Sequence, residues 1–96
     1  MGEFSALRLH DFALEAVHVE WPRAVCTLRV LGASEAADLV FGGFTELVAP
    51  RVQPWGPSSL INCVLEEGPG RFQVELQSGD VLRINAATWT YTARAR

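Results

Sequence analysis

A chain of 96 residues of which 49% are apolar is a single domain with enough oily surface for a modest core, which excludes a disordered chain. The net charge is −3, and all 8 basic residues are arginines scattered from Arg8 to Arg96. That distribution has neither the basic excess nor the basic stripe of a nucleic-acid surface, and no apolar run is long enough to span a bilayer.

The first residues, MGEFSALRLHDF, hold no basic region followed by an apolar run. No secretory leader is read there, and a cytoplasmic location is expected. His10-Asp11 reads as a turn between strands, because aspartate bonds readily to its own backbone. From Ala16 the period is two: Val17, Val19 and Trp21 alternate with Ala16, His18 and Glu20. The turn WPRA follows, with Pro22 suited to the second position of a type I turn. Cys26, Leu28 and Val30 then alternate with Thr27 and Arg29, giving a hairpin with one buried and one wet face. SEAADL, from Ser34, has room for one capped helical turn. Leu39 and Phe41 alternate with Asp38 and Val40 until Gly42-Gly43 interrupts the strand. Phe44 to Val52 is a second extended piece.

VQPWGPS, from Val52 to Ser58, is too broken for helix or strand. Pro54 and Pro57 remove two backbone donors and bias Gln53 and Gly56 towards extended geometry. The segment reads as a rigid corner. Trp55 is expected to fold back as a lid over one end of the core, so that Trp55→Ala lowers stability clearly; the rival reading is a ligand platform. Ile61, Cys63 and Leu65 then alternate with Leu60, Asn62 and Val64, which puts Cys63 on the inner face, and EEGPG is a turn. In the next hairpin Phe72, Val74 and Leu76 share a face with Leu82 and Ile84. Only a three-residue loop, Gln77-Ser78-Gly79, satisfies that register, and it sets Gly79 at the left-handed position. The last strand, Thr88 to Arg94, points Trp89 and Tyr91 inward and a threonine stripe outward. Arg71, Gln73, Glu75, Gln77, Arg83, Asn85 and that stripe are expected to line one outer face.

Chemical motifs are sparse. His18 and Glu20 share a strand face but lack a third ligand at metal-site spacing, so no metal is expected. Cys26 and Cys63 are too few for a disulfide framework and read as small buried thiols. Cys63 with His10 or His18 makes a nucleophile and base only on paper, since nothing activates the thiol. Ser58 follows a proline loop and lacks the glycines and helix of an esterase elbow.

The order LHDF, VHVEW, FGGFTELVAP, PWGPSSLIN and FQVELQSGDVLRINA resembles a group of small bacterial proteins carrying an HD…W…PWGPS…N…QSGD pattern. The resemblance runs from Leu9 to Ala86, and PWGPS and QSGD are its specific parts. It implies a bacterial source and a compact β domain, and the group has no assigned activity or cofactor. Asp11, Trp55, Gly56, Ser58, Asn62, Ser78, Gly79 and Asp80 match the pattern and take no chemical role from it.

The expectation is therefore one all-β domain over residues 1–96: a sandwich or half-open barrel of seven or eight strands, mostly consecutive hairpins. The leading function is a non-enzymatic interaction or accessory module, immunity-like by analogy, meeting a protein partner or a second copy. The alternative is a small-molecule site near Trp55, and the remote one a hydrolase. Trp55, Ser58, Asn62 and Asp11 are the candidate binding residues; no cofactor, nucleic acid or membrane is expected.

Overall fold

A computed structural model describes residues 3–95; Met1, Gly2 and Arg96 lie outside the described residues. After a single turn of 3-10 helix, η1 (Phe4–Ala6), come eight strands. They are β1 (Ala13–Glu20), β2 (Val25–Leu31), β3 (Ala36–Gly42), β4 (Glu46–Val48), β5 (Ile61–Gly68), β6 (Arg71–Leu76), β7 (Val81–Asn85) and β8 (Thr88–Arg94). They make two antiparallel sheets of four, ordered β1-β2-β3-β8 and β4-β7-β6-β5. Each sheet is a three-strand meander plus one strand that crosses over from the other half. The all-β expectation holds, and among the described residues no helix is long and apolar enough to cross a membrane.

The core forms where the inner faces meet. Leu28, Val30, Leu39 and Phe41 of the first sheet and Ile61, Val74 and Ile84 of the second are fully buried. Phe4, from η1, is equally buried and stands edge-on to Phe72, Trp89 and Phe41, with centroids 4.9, 5.3 and 5.8 Å away. It plugs one end of the sandwich with the edge-to-face geometry that aromatic quadrupoles favour. The β6–β7 hairpin has the expected register, Val74 opposite Leu82 and Phe72 opposite Ile84. Its loop is Gln77-Ser78-Gly79, closed by Leu76 N–H to the Asp80 carbonyl, and Gly79 has φ +97°.

Five expectations are corrected. SEAADL forms no helical turn, because β3 starts at Ala36 and pairs on both sides, with β2 and β8. The extended piece after Phe44 shrinks to β4; Pro50 brings no donor to continue the ladder. Trp21 lies outside, 79% exposed on the turn, its ring edge-on to Phe44. The alternation of β5 changes phase at a bulge, where Ile61 faces Leu76 and Cys63 faces Glu75 with Asn62 extra. Ile61 and Val64 therefore point in, while Cys63 and Leu65 point out. Finally, the threonine stripe of β8 sits beside β3, so it shares no sheet with Arg71, Gln73 and Arg83.

Candidate functional site

The broken VQPWGPS segment is held from outside, by the loop after β6. Asp80, only 5% exposed, aims its carboxylate at the segment's backbone. Its Oδ1 accepts N–H bonds from Val52 and Gln53 at 3.0 and 3.1 Å. Its Oδ2 accepts from Gln53 N–H at 2.9 Å and from the Ser78 hydroxyl at 3.1 Å. The Trp55 N–H donates to the Ser78 carbonyl at 3.0 Å. Bonds to an ionised acceptor are the stronger kind, and here they satisfy donors that no strand could pair. The clamp thus ties Val52, Gln53 and Trp55 of the broken segment to Ser78 and Asp80 of the QSGD loop.

That clamp corrects the expected backbone. Gln53 has φ +56° and Gly56 φ +105°, so neither residue before a proline is extended. The grip of Asp80 on the Gln53 N–H turns the chain against the preference that Pro54 imposes. The lid expectation is also overturned: Trp55 is 77% exposed. Its ring rests over Gly79, where an added Cβ would come within 2.4 Å of Cε3.

Between the clamped arm (residues 49–59) and β1 lies a cleft of about 460 Å³. Leu14 and Val17 of β1 form one wall, Pro50 and Pro57 of the arm the other, and Leu76 and Leu82 the floor. It exists because β1 is an edge strand: its inward residues Val17 and Val19 share a face with Leu28 and Cys26 yet stay 38% and 36% exposed. The arm is stitched to the start of β1 by Leu14 N–H to the Ser59 carbonyl and by a bridge between Ala13 and Leu60. Polar groups enter from Arg51, Gln53, Ser58, Ser59 and Asp80. Asp80 is already engaged by the clamp. The Ser58 hydroxyl accepts the Leu60 N–H at 3.2 Å. Arg51 is exposed and has no hydrogen-bond or ionic partner among the described residues.

The four candidate residues divide into two groups. Ser58 lines the cleft, and Trp55 is carried by the arm that walls it. Asp11 and Asn62 do not line it; they belong to an exposed polar network with Gln77, Glu75 and His10. The Gln77 side-chain amide donates to Asp11 Oδ1 at 2.6 Å, and Asn62 Nδ2 donates to Glu75 at 3.1 Å. Asp11 occupies a turn with φ +70°, as expected of its dipeptide. His10 sits there too, its Nδ1 at 3.0 Å from the Asn62 carbonyl. The residues that build the cleft walls, Leu14, Val17, Pro50 and Arg51, were not among the sequence candidates. The inward alternation of β1 was the available signal for Val17.

The thiol and hydroxyl chemistry finds no support in this geometry. Cys63 Sγ lies 3.2 Å from Glu75 Oε1, and its pKa is raised, first by desolvation and then by bonding to and repulsion from that carboxylate. Burial likewise raises Cys26. A thiol held protonated is a poor nucleophile. His18 and Glu20 belong to no group of three metal-capable side chains among the described residues. No protein-family model, no curated protein and no solved structure matches the chain. Its function is therefore read from its own residues.

Proposed function

We propose that this protein is a non-catalytic binding module and that its site is the apolar cleft between β1 and the arm. One observation carries the reading: a volume of about 460 Å³, walled by Leu14, Val17, Pro50 and Pro57, is kept open by a clamped segment instead of being filled by core. That size and lining, apolar with a few polar groups at the rim, are those of small-molecule sites. A domain that stabilised itself by burial alone would gain by collapsing the arm onto Val17. The Asp80 clamp holds it away.

The test is a thermal-shift screen of compact apolar compounds. A ligand present at about a hundred times its Kd stabilises by roughly 2.7 kcal/mol, a rise on the order of 10–20 °C for a domain this small. Ser59→Trp, an exposed wall position, fills the cleft and should abolish the rise. If no compound moves the midpoint, the cleft is not a site.

A second reading is favoured by a separate observation. From Ala16 to Glu20 the outer edge of β1 has no strand paired with it among the described residues. Beside it lie Val17, Val19 and the exposed Trp21. An unpaired edge with an apolar flank is the form that strand addition by a protein partner uses, consistent with an accessory role. Sedimentation distinguishes it: a concentration-dependent dimer that Val19→Arg disperses supports association through β1, and a strict monomer removes self-association.

A further inference from the structure

We infer that the cleft takes an amphipathic carboxylate, an apolar tail with an acid head, and that Arg51 reads the head. The inference rests on the cleft being a binding site and adds the chemical class of its ligand.

The argument is one of charge complementarity at the mouth. Two charged residues line the cleft, Arg51 and Asp80. The Asp80 carboxylate is 5% exposed, and its oxygens accept bonds from Val52, Gln53 and Ser78, so its acceptor positions are taken inside the clamp and it is buried below the rim. Arg51 faces outward with no partner at all among the described residues. The mouth therefore offers one uncommitted cation above an apolar floor of Leu76 and Leu82. A guanidinium has a planar fork of donors that matches a carboxylate with two bonds at once. The Ser59 side chain, also exposed on the wall, makes no hydrogen bond among the described residues and adds a hydroxyl near the same rim. An amine head would meet Arg51 with like charge, and an alcohol would leave its fork half used.

Position along the chain fixes the reader. Arg51 directly precedes Val52 and Gln53, whose N–H groups Asp80 holds, so the clamp sets the origin of the arginine side chain. The long stem stays free to swing over the mouth.

The experiment compares octanoate, octanol and octylamine, three ligands with one tail and three heads, by calorimetry on the wild-type chain, on Arg51→Gln and on Ser59→Trp. Octanoate should bind about fivefold or more tighter than octanol at low ionic strength, with octylamine weakest, and added salt should shrink the preference. Arg51→Gln should remove the preference, weakening octanoate far more than octanol. Arg51 is exposed and unpartnered, so this variant keeps the wild-type urea midpoint. Equal binding of all three heads, or a preference that survives Arg51→Gln, overturns the assignment of the head group and leaves the cleft standing. Binding of none, or binding that Ser59→Trp leaves intact, overturns the cleft itself and this inference with it.

Discussion

The ring of Trp55 lies where the side chain of residue 79 would be. A Cβ on Gly79 would come within 2.4 Å of Trp55 Cε3 and 2.9 Å of Pro54 Cγ, and Gly79 has φ +97°. Two costs therefore meet at one position. A side chain in the left-handed region is strained by roughly 1–2 kcal/mol, and the ring must also move. Gly79→Ala should lower stability by more than that strain and shift the tryptophan fluorescence. Trp55→Ala alone should change stability by no more than about 0.5 kcal/mol, because the ring is mostly in water. In the double variant only the backbone strain and the Pro54 contact remain, so the two costs fall short of additive. Urea denaturation of the four proteins measures this. Strict additivity would mean that the ring does not rest on Gly79 in solution.

Asp80 is the residue on which the arm depends. Asp80→Ala removes the acceptor for two backbone N–H groups and one hydroxyl together. Bonds to a charged acceptor are worth about 1.5–3 kcal/mol each when broken singly, and the freed N–H groups regain water as the arm loosens. A net loss of about 2–3 kcal/mol is expected, with Asp80→Asn in between because one acceptor oxygen survives. Limited proteolysis should cut the Asp80→Ala variant between residues 51 and 57 first. A wild-type cleavage pattern would show that the prolines alone hold the corner.

Much of this fold was legible in the sequence where two constraints coincided. The β6–β7 register followed because alternation and turn chemistry admitted one loop, and Gly79 was placed by both. The phase of β5 was not legible. Ile61 is fixed by bonds to the opposite edge, its N–H to the Phe12 carbonyl and its carbonyl to the Asp11 N–H, and the bulge at Asn62 takes up the mismatch. Those partners lie some fifty residues away along the chain, beyond the reach of any local period. Phe4 was missed for the opposite reason, since one turn of helix is too short to show a period. At the cleft the sequence supplied Trp55 and Ser58 but assigned the wrong posture to the ring. The clamp that sets that posture joins Gln53 to Asp80, 27 positions on. Arg51, the sole uncommitted charge at the mouth, looked like any scattered arginine until its neighbours were placed.

Cys63 tests the non-catalytic reading directly. Its pKa is raised, with Glu75 contributing, so at neutral pH the folded thiol carries less thiolate than the same cysteine in the unfolded chain. Alkylation by iodoacetamide should therefore be slower in the folded protein, although Cys63 is exposed. Glu75→Gln removes the charge and should speed it. Faster alkylation of the folded wild-type thiol than of the unfolded one would reopen the nucleophile reading.

Tyr91 gives the fold a pH dependence of known sign. Its hydroxyl donates to Glu35 Oε2 at 2.5 Å, tying β8 to the loop before β3. Burial first, then the bond to Glu35 and its charge, push the phenol from 10.0 up to about 12. A pKa raised in the folded state means that the folded protein holds the proton more tightly than the unfolded chain. The contribution is therefore fully present below pH 10 and is lost as pH rises through about 12. Tyr91→Phe deletes the bond and leaves the Glu35 carboxylate to water, which should cost roughly 1–2 kcal/mol at neutral pH. Above pH 10.0 the wild-type advantage should shrink, and the two proteins should converge near pH 12. Urea midpoints measured across that interval, beside the phenolate absorbance of the native protein, decide it. A phenolate that appears with its ordinary midpoint, or a gap between the two proteins that stays constant through the interval, would show that Tyr91 and Glu35 are not bonded in solution.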